Sequence, residues 1–465
     1  MAAYLGVSLA GGYLGYPLDD AWIHQTYARN LGTRGEFAFT PGQPSAGSTA
    51  PLWSALLAIG YALRVEPRAW TYALGALTLG LAAWLAGRLT LPFWPERRRM
   101  ALAAGLAVAL EWHLAWAAAS GMETVLFAAL ALAVFAAPAR RPAWIGVLTG
   151  VSVLVRPDGL MLLPFALARA WLAHGRSWRA ALAGGLGFAA VFVPYLGFNL
   201  WAGGSLWPNT FYAKQAEYAV MRDLPLWWRV GSVGLQPWIG AQVLLIPGIA
   251  ALAWRAVGER RWERLLPLGW AGAVLAAYSL RLPVTYQYGR YVMPVIPVLV
   301  ALGVGGLSDV VQLQARALWP RLLSRVWVTA GVALGLVFWG LGATLYLRDV
   351  RLIETEMVAA ARWVAAQTEP GARVAAHDIG ALGYYGGRPV LDMAGLVSPE
   401  VIPFIRDEAR LAAWLTRSGA DYLMTFPGWY PGLTRDLAGR ELYRTGAPFS
   451  LALGGENMAI YRWAR

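Results

Sequence analysis

The chain has 465 residues, 58% of them hydrophobic and only 14% charged, with a net charge of +13 and no cysteine. Water-soluble domains carry about 25% charged residues, so a wet surface for the whole chain cannot be built from this supply. The absence of cysteine excludes disulfides and thiolate metal sites. Most of the basic excess falls in short loops between apolar runs, where membrane topology explains it without nucleic acid as a partner.

Residues 1–16, MAAYLGVSLAGGYLGY, are apolar but reach only about 24 Å as a helix. They lack the basic start and small-residue cleavage pattern of a signal peptide. The expectation is the outer part of a first membrane helix whose natural start lies upstream. A first outer loop then covers residues 17–68, within which 51–63 reads as an interfacial helix. Apolar runs follow at 69–91, 100–119, 120–137, 143–155, 157–173, 180–201, 236–254, 265–280, 290–308 and 325–347. With the first helix, these predict a polytopic α-helical membrane protein of about eleven spans. The 143–155 and 157–173 runs are short enough to be half-helices meeting in one leaflet.

Alternate connections are basic: Arg97–Arg99, Arg140 and Arg141, Arg176 and Arg179, Arg255 to Arg264, and Arg316 to Arg325. By the positive-inside rule these loops and the N-terminus face the cytoplasm. The opposite, extracytoplasmic face of the plasma (inner) membrane then receives 17–68, the 202–235 loop and the 281–290 turn. Residues 1–347 form the transmembrane domain, and 348–465 a C-terminal extracytoplasmic α/β domain. Within that domain helices are expected at 356–367 and 407–418. Strands are expected at 373–376, 389–392, 421–425, 449–453 and 458–463.

Asp19 and Asp20 stand where the first helix meets water. Adjacent carboxylates resist double ionisation, so one pKa should rise, which suits a base that takes a proton from a hydroxyl. Otherwise one of them caps the helix at 21–31. A divalent cation between them is chemically open, although no strong metal motif is present. Lys214 is the only lysine among 39 basic residues, a compact ammonium suited to phosphate on the outer loop. Arg290, beside Tyr288 and Tyr291, either binds phosphate or anchors its helix at the interface. Glu123 opens a helix where it either holds a sugar hydroxyl or complements the helix dipole. Arg156 and Asp158 read as a structural pair, and Glu111 with His113 as buried groups inside an apolar run. His377 and Asp378 follow a strand and make either an acceptor-binding rim or an ordinary turn.

Taken in order, Asp19-Asp20, Tyr27-Ala28-Arg29-Asn30, Gly47-Ser48-Thr49-Ala50-Pro51, Ser120-Gly121-Met122-Glu123-Thr124 and Arg156-Pro157-Asp158-Gly159 form the first half of a recognisable layout. Asn209-Thr210-Phe211-Tyr212-Ala213-Lys214, Gly289-Arg290-Tyr291 and His377-Asp378-Ile379-Gly380 complete it. This layout resembles the GT-C superfamily of membrane glycosyltransferases, and most of all the bacterial arabinofuranosyltransferase-like branch. The resemblance implies a polyprenyl-phosphate sugar donor, a glycan, lipid or protein acceptor, and Asp19 or Asp20 as catalytic base. Lys214 and Arg290 are the candidates for donor phosphate, and Glu123, Tyr212, Tyr288, His377 and Asp378 for substrate. The alternative from another class is a transporter or flippase of lipid-linked saccharides, which should place its polar groups near the bilayer midplane.

Overall fold

The computed structural model describes residues 1–463. Among these, five helices are long and apolar enough to cross a membrane: Pro67–Thr90, Trp178–Gly203, Ala241–Gly258, Tyr286–Val310 and Leu318–Gln367. A sixth span arises if Arg98–Ala109 and Trp112–Ala119, bent by 55°, are counted together. The expectation of about eleven spans is therefore corrected to five or six. Hydropathy counts apolar residues and is blind to where the helix breaks.

The breaks have local causes. The 100–119 run turns at Glu111, whose backbone is extended (φ −65, ψ 128) and whose carboxylate accepts from the Leu114 amide to cap the second half. The 120–137 and 143–155 runs give helices of 13 and 14 residues, Thr124–Ala136 and Pro142–Val155, each rising only about 20 Å. Pro157 forces Arg156 out of helical geometry (φ −154, ψ 136), and a 3-10 turn precedes Leu163–Ala173. At the N-terminus the helix is Ala2–Ala10, 9 residues, with Tyr4 packed on Trp339 and Tyr346 of the last long helix.

The Tyr286–Val310 span lies inside the protein, 83% buried in its most apolar window, whereas Leu318–Gln367 is 11% buried and forms the periphery. Glycine lets the interior helix approach its neighbour: a Cβ on Gly306 would stand 2.0 Å from the Gly248 carbonyl oxygen. At one end of this interior span Asp309 holds Arg97 at 2.7 Å and Arg255 at 2.6 Å, gathering two of the basic loops. Arg290 stands at the other end, about 28 Å away along the helix.

The last long helix, Leu318–Ile353, continues through a π-turn at Glu354–Val358 into Ala359–Gln367. Residues 347 and 348 thus sit inside one continuous element. A five-stranded sheet follows: β1 (Val374–Ala376), β2 (Val390–Asp392), β3 (Tyr422–Thr425), β4 (Glu441–Arg444) and β5 (Ala459–Arg462), in the order β2-β1-β3-β5-β4. β1 pairs parallel with β2 and β3, and β5 pairs antiparallel with β3 and β4. The strand expected at 449–453 is instead the short helix Pro448–Ala452. The edge strand β4 is mostly exposed and carries no apolar alternation that would mark it. The protein is therefore multi-pass, with a C-terminal β-containing domain outside the membrane helices.

Glu356, on the π-turn and 0% exposed, ties helix to sheet. Its carboxylate accepts from the Thr445 and Ser450 hydroxyls, from Asn457 Nδ2 at 2.9 Å and from the Met458 amide at 2.7 Å. Glu356→Ala leaves these donors buried without a partner and should cost about 3 kcal/mol. The thermal midpoint of the domain in detergent should fall accordingly, and an unchanged midpoint would show the network to be neutral.

Candidate active site

Two adjacent aspartates diverge in environment because the chain turns between them. Asp19 stands at the start of the Asp20–Arg34 helix but makes no side-chain hydrogen bond to it. Its carboxylate instead accepts from the Gly380 amide at 2.6 Å and the Ala381 amide at 2.8 Å, capping a helical turn of the C-terminal domain. Gly380 is required there, since a Cβ would lie 2.0 Å from the Asp19 carbonyl oxygen. The same helix fastens its far side: Arg29 donates to the carbonyls of Gly383 and Tyr384 at 3.1 and 2.8 Å. Burial and then the neighbouring Asp378 push the Asp19 carboxyl well above its ordinary range, against the pull of the two amides.

Asp20 faces a cavity of about 620 Å³ enclosed by the first loop, the Asn209–Glu217 helix and the starts of several membrane helices. Arg290 donates to its Oδ2 at 2.6 Å, and the Lys214 ammonium stands 4.0 Å from the same oxygen. Burial would raise this carboxyl, but Arg290 and Lys214 outweigh it and hold the group well below the usual carboxylate range. The pair therefore splits in both directions, Asp19 upward and Asp20 downward. Lys214, Arg290 and Arg156 surround the Tyr291 ring at 5.2, 5.1 and 5.7 Å from its centroid. Arg290, 9% exposed, keeps Nε and Nη1 without a hydrogen-bond partner among the described residues. Three cations around one ring, with donors unspent, suit an anion with several oxygens.

Deeper polar groups form a connected chain. His24, one helical turn after Asp20 and so on the same face, approaches Glu123 at 3.3 Å. Arg156 lies 3.7 Å from the other Glu123 oxygen and 3.0 Å from Asp158. The Tyr278 hydroxyl donates to Asp158 at 2.9 Å and accepts from Arg156 at 3.0 Å. All of these line the cavity, with Ser48, Thr49 and Gln215.

Of the residues singled out by sequence, Asp20, Glu123, Lys214 and Arg290 meet in this cavity. Asp19 lies behind it, in the contact with the C-terminal domain. Tyr212 is 38% exposed and packs edge-on against Phe211, outside the cavity lining. Tyr288 belongs elsewhere: its hydroxyl donates to Asp349 at 2.7 Å, and its ring lines a separate cavity of about 410 Å³. His377 spends both ring nitrogens, one on the Tyr430 hydroxyl at 2.7 Å and one on Glu217 at 3.1 Å. Burial lowers its pKa, but Glu217, with Asp378 and Asp392 behind it, lifts it to about 9. Asp378 does not line the cavity, and burial raises it to about 6. His24 and Tyr278 were not singled out by sequence. The i, i+4 spacing of His24 from Asp20 was a usable signal, whereas Tyr278 in its apolar helix offered none. Glu111 and His113 pair at 2.7 Å, away from this cavity. Among the described residues, no group of three or more His, Asp or Glu side chains is placed to hold a metal ion.

No curated protein matches the chain by sequence. Residues 347–461 match a family model described as a domain of unknown function, DUF8728. Among solved structures, ArnT from Cupriavidus metallidurans bound to undecaprenyl phosphate superposes with a TM-score of 0.59 at 17% identity. That match covers 100% of this chain and 98% of that one. An Archaeoglobus fulgidus oligosaccharyltransferase, tethered with an acceptor peptide, gives 0.58 at 11% identity over 89% of this chain and 65% of that one. The mycobacterial arabinofuranosyltransferase AftD overlaps more loosely, at 0.47 and 16% identity, over 100% of this chain and 39% of that one. At such identities the likeness is one of architecture, and by it the chain has the fold of the GT-C membrane glycosyltransferases.

Proposed function

We propose that the protein is a membrane glycosyltransferase that takes a sugar from a polyprenyl-phosphate donor and passes it to an acceptor hydroxyl on the extracytoplasmic face. The observation that carries this reading is Asp20 held between Arg290 and Lys214 inside a cavity at one end of the membrane helices. The fold supports it, as does the undecaprenyl phosphate bound by ArnT.

The chemistry follows from the charges. A glycosyl phosphodiester already has a good leaving group, so the enzyme must supply a base for the acceptor and cations for the departing phosphate. Asp20 takes the hydroxyl proton as the acceptor oxygen bonds to the anomeric carbon. The carbon–oxygen bond to phosphate breaks, and its electron pair leaves on the phosphate, whose second negative charge Lys214 and Arg290 hold. In the empty site these cations suppress the basicity of Asp20. A bound phosphate competes for them, so the carboxylate becomes a competent base only when the donor is in place. Asp19 acts differently in this reading, as a positioning residue that docks the C-terminal domain through Gly380 and Ala381.

Asp20→Asn should lower transfer by about 10²–10⁴-fold while leaving lipid-phosphate binding intact, measured as new glycosidic bond in membranes supplied with donor. A transporter would instead lose movement of lipid, with no bond formed by the parent protein. Lys214→Ala should weaken binding of polyprenyl phosphate; equal affinity would remove the residue from the site. The His377–Glu217 pair holds the helix that carries Lys214. Its histidine pKa is raised, so the pair's contribution is complete below about pH 6.5. It is lost as pH rises through about 9. The donor KM should climb on that limb, and Glu217→Gln should remove the climb without abolishing turnover.

A further inference from the structure

We infer that the transferred sugar is uncharged, carrying neither an amine nor a carboxylate; this rests on the donor reading above. The cavity is lined by three carboxylates, Asp20, Glu123 and Asp158, and by four permanent cations, Arg156, Lys214, Arg281 and Arg290. With His24 neutral the lining carries one excess positive charge. A glycosyl phosphodiester brings a single negative charge, and a site poorly supplied with water holds charge cheaply only when it is balanced.

The balance also survives the reaction. When the acceptor proton moves to Asp20, one negative charge disappears from the lining. One appears on the phosphate as the bond to the sugar breaks. The total is unchanged provided that the sugar itself carries none. An ammonium on the sugar would need a carboxylate of its own, and each is engaged. Asp20 meets Arg290 at 2.6 Å, Glu123 meets His24 at 3.3 Å, and Asp158 meets Arg156 at 3.0 Å. A sugar carboxylate would add a second anion beside those three. Arg281, exposed at the cavity edge, is already counted in the balance with the phosphate.

What the lining does offer a sugar is neutral. Thr49 and Gln215 face the cavity with part-buried side chains that make no hydrogen bond to other described residues. A hydroxyl and a carboxamide can each donate and accept, as hydroxyl recognition requires. Neither can compensate a full charge.

The test uses the purified full chain in detergent and four probes: neryl phosphate, and neryl phosphodiesters of glucose, glucosamine and glucuronic acid. Neryl phosphate reports the phosphate site alone. The glucose probe should bind about tenfold or more tightly than either charged analogue. A glucosamine or glucuronate probe that binds as well as glucose overturns the inference while leaving the lipid-phosphate reading standing. Failure of all four, neryl phosphate included, overturns both. A second variant guards against an accidental preference for glucose: Gln215→Glu adds a carboxylate to the lining and should shift the ratio by about tenfold toward glucosamine. An unshifted ratio also counts against the inference.

Discussion

A carboxylate with two cations, Asp20 with Arg290 and Lys214, can persist in a cavity at a membrane end only because the three compensate one another. Each comes from a different part of the chain: the first loop, the top of the interior span, and the helix of the 202–235 connection. Removing any one leaves a desolvated charge beside its former partner, which is far more costly than losing a surface ion pair. The surrounding architecture follows from this need. Tyr291 places its ring between the cations, and the Glu123–Arg156–Asp158 chain balances the remaining charge. The C-terminal domain closes the first loop over the site through Asp19.

The contact made by Asp19 explains how two neighbouring residues acquire opposite characters. Its partners, the amides of Gly380 and Ala381, lie some 360 positions later in the chain. In sequence the pair was visible as a pair, and a split in acidity was expected from it. Which carboxylate would face the cavity was not visible, because that depends on where a remote glycine comes to rest. Lys214 was legible by its singularity, and Arg290 by its aromatic company at a helix start. His377 was legible as a residue of interest, yet its use is to hold the Lys214 helix from outside the cavity.

The fold was legible in outline and misread in number. Apolar composition marked the membrane body, and most strands of the C-terminal sheet were found within a residue or two. Composition cannot say whether an apolar run remains one helix. Glu111 turns its backbone outward in mid-run, and Pro157 imposes extended geometry on Arg156. Several runs that looked like spans therefore end as segments of 16 residues or fewer. The edge strand β4 escaped notice for a related reason. It carries charge at both ends and pairs on one side only, so it never needed the alternating pattern that reveals a half-buried strand.

The helix that leaves the membrane does not stop before the sheet domain begins. From Leu318 through the π-turn to Gln367 it is a single rod, and Glu356 pins the far end of that rod to the sheet. The roof over the cavity is thus mounted on a mast without a swivel. Tilting the mast within the lipid would carry Asp19's docking turn and the His377 clasp together, as one body. Bilayer thickness, by setting that tilt, becomes a mechanical input to the width of the mouth.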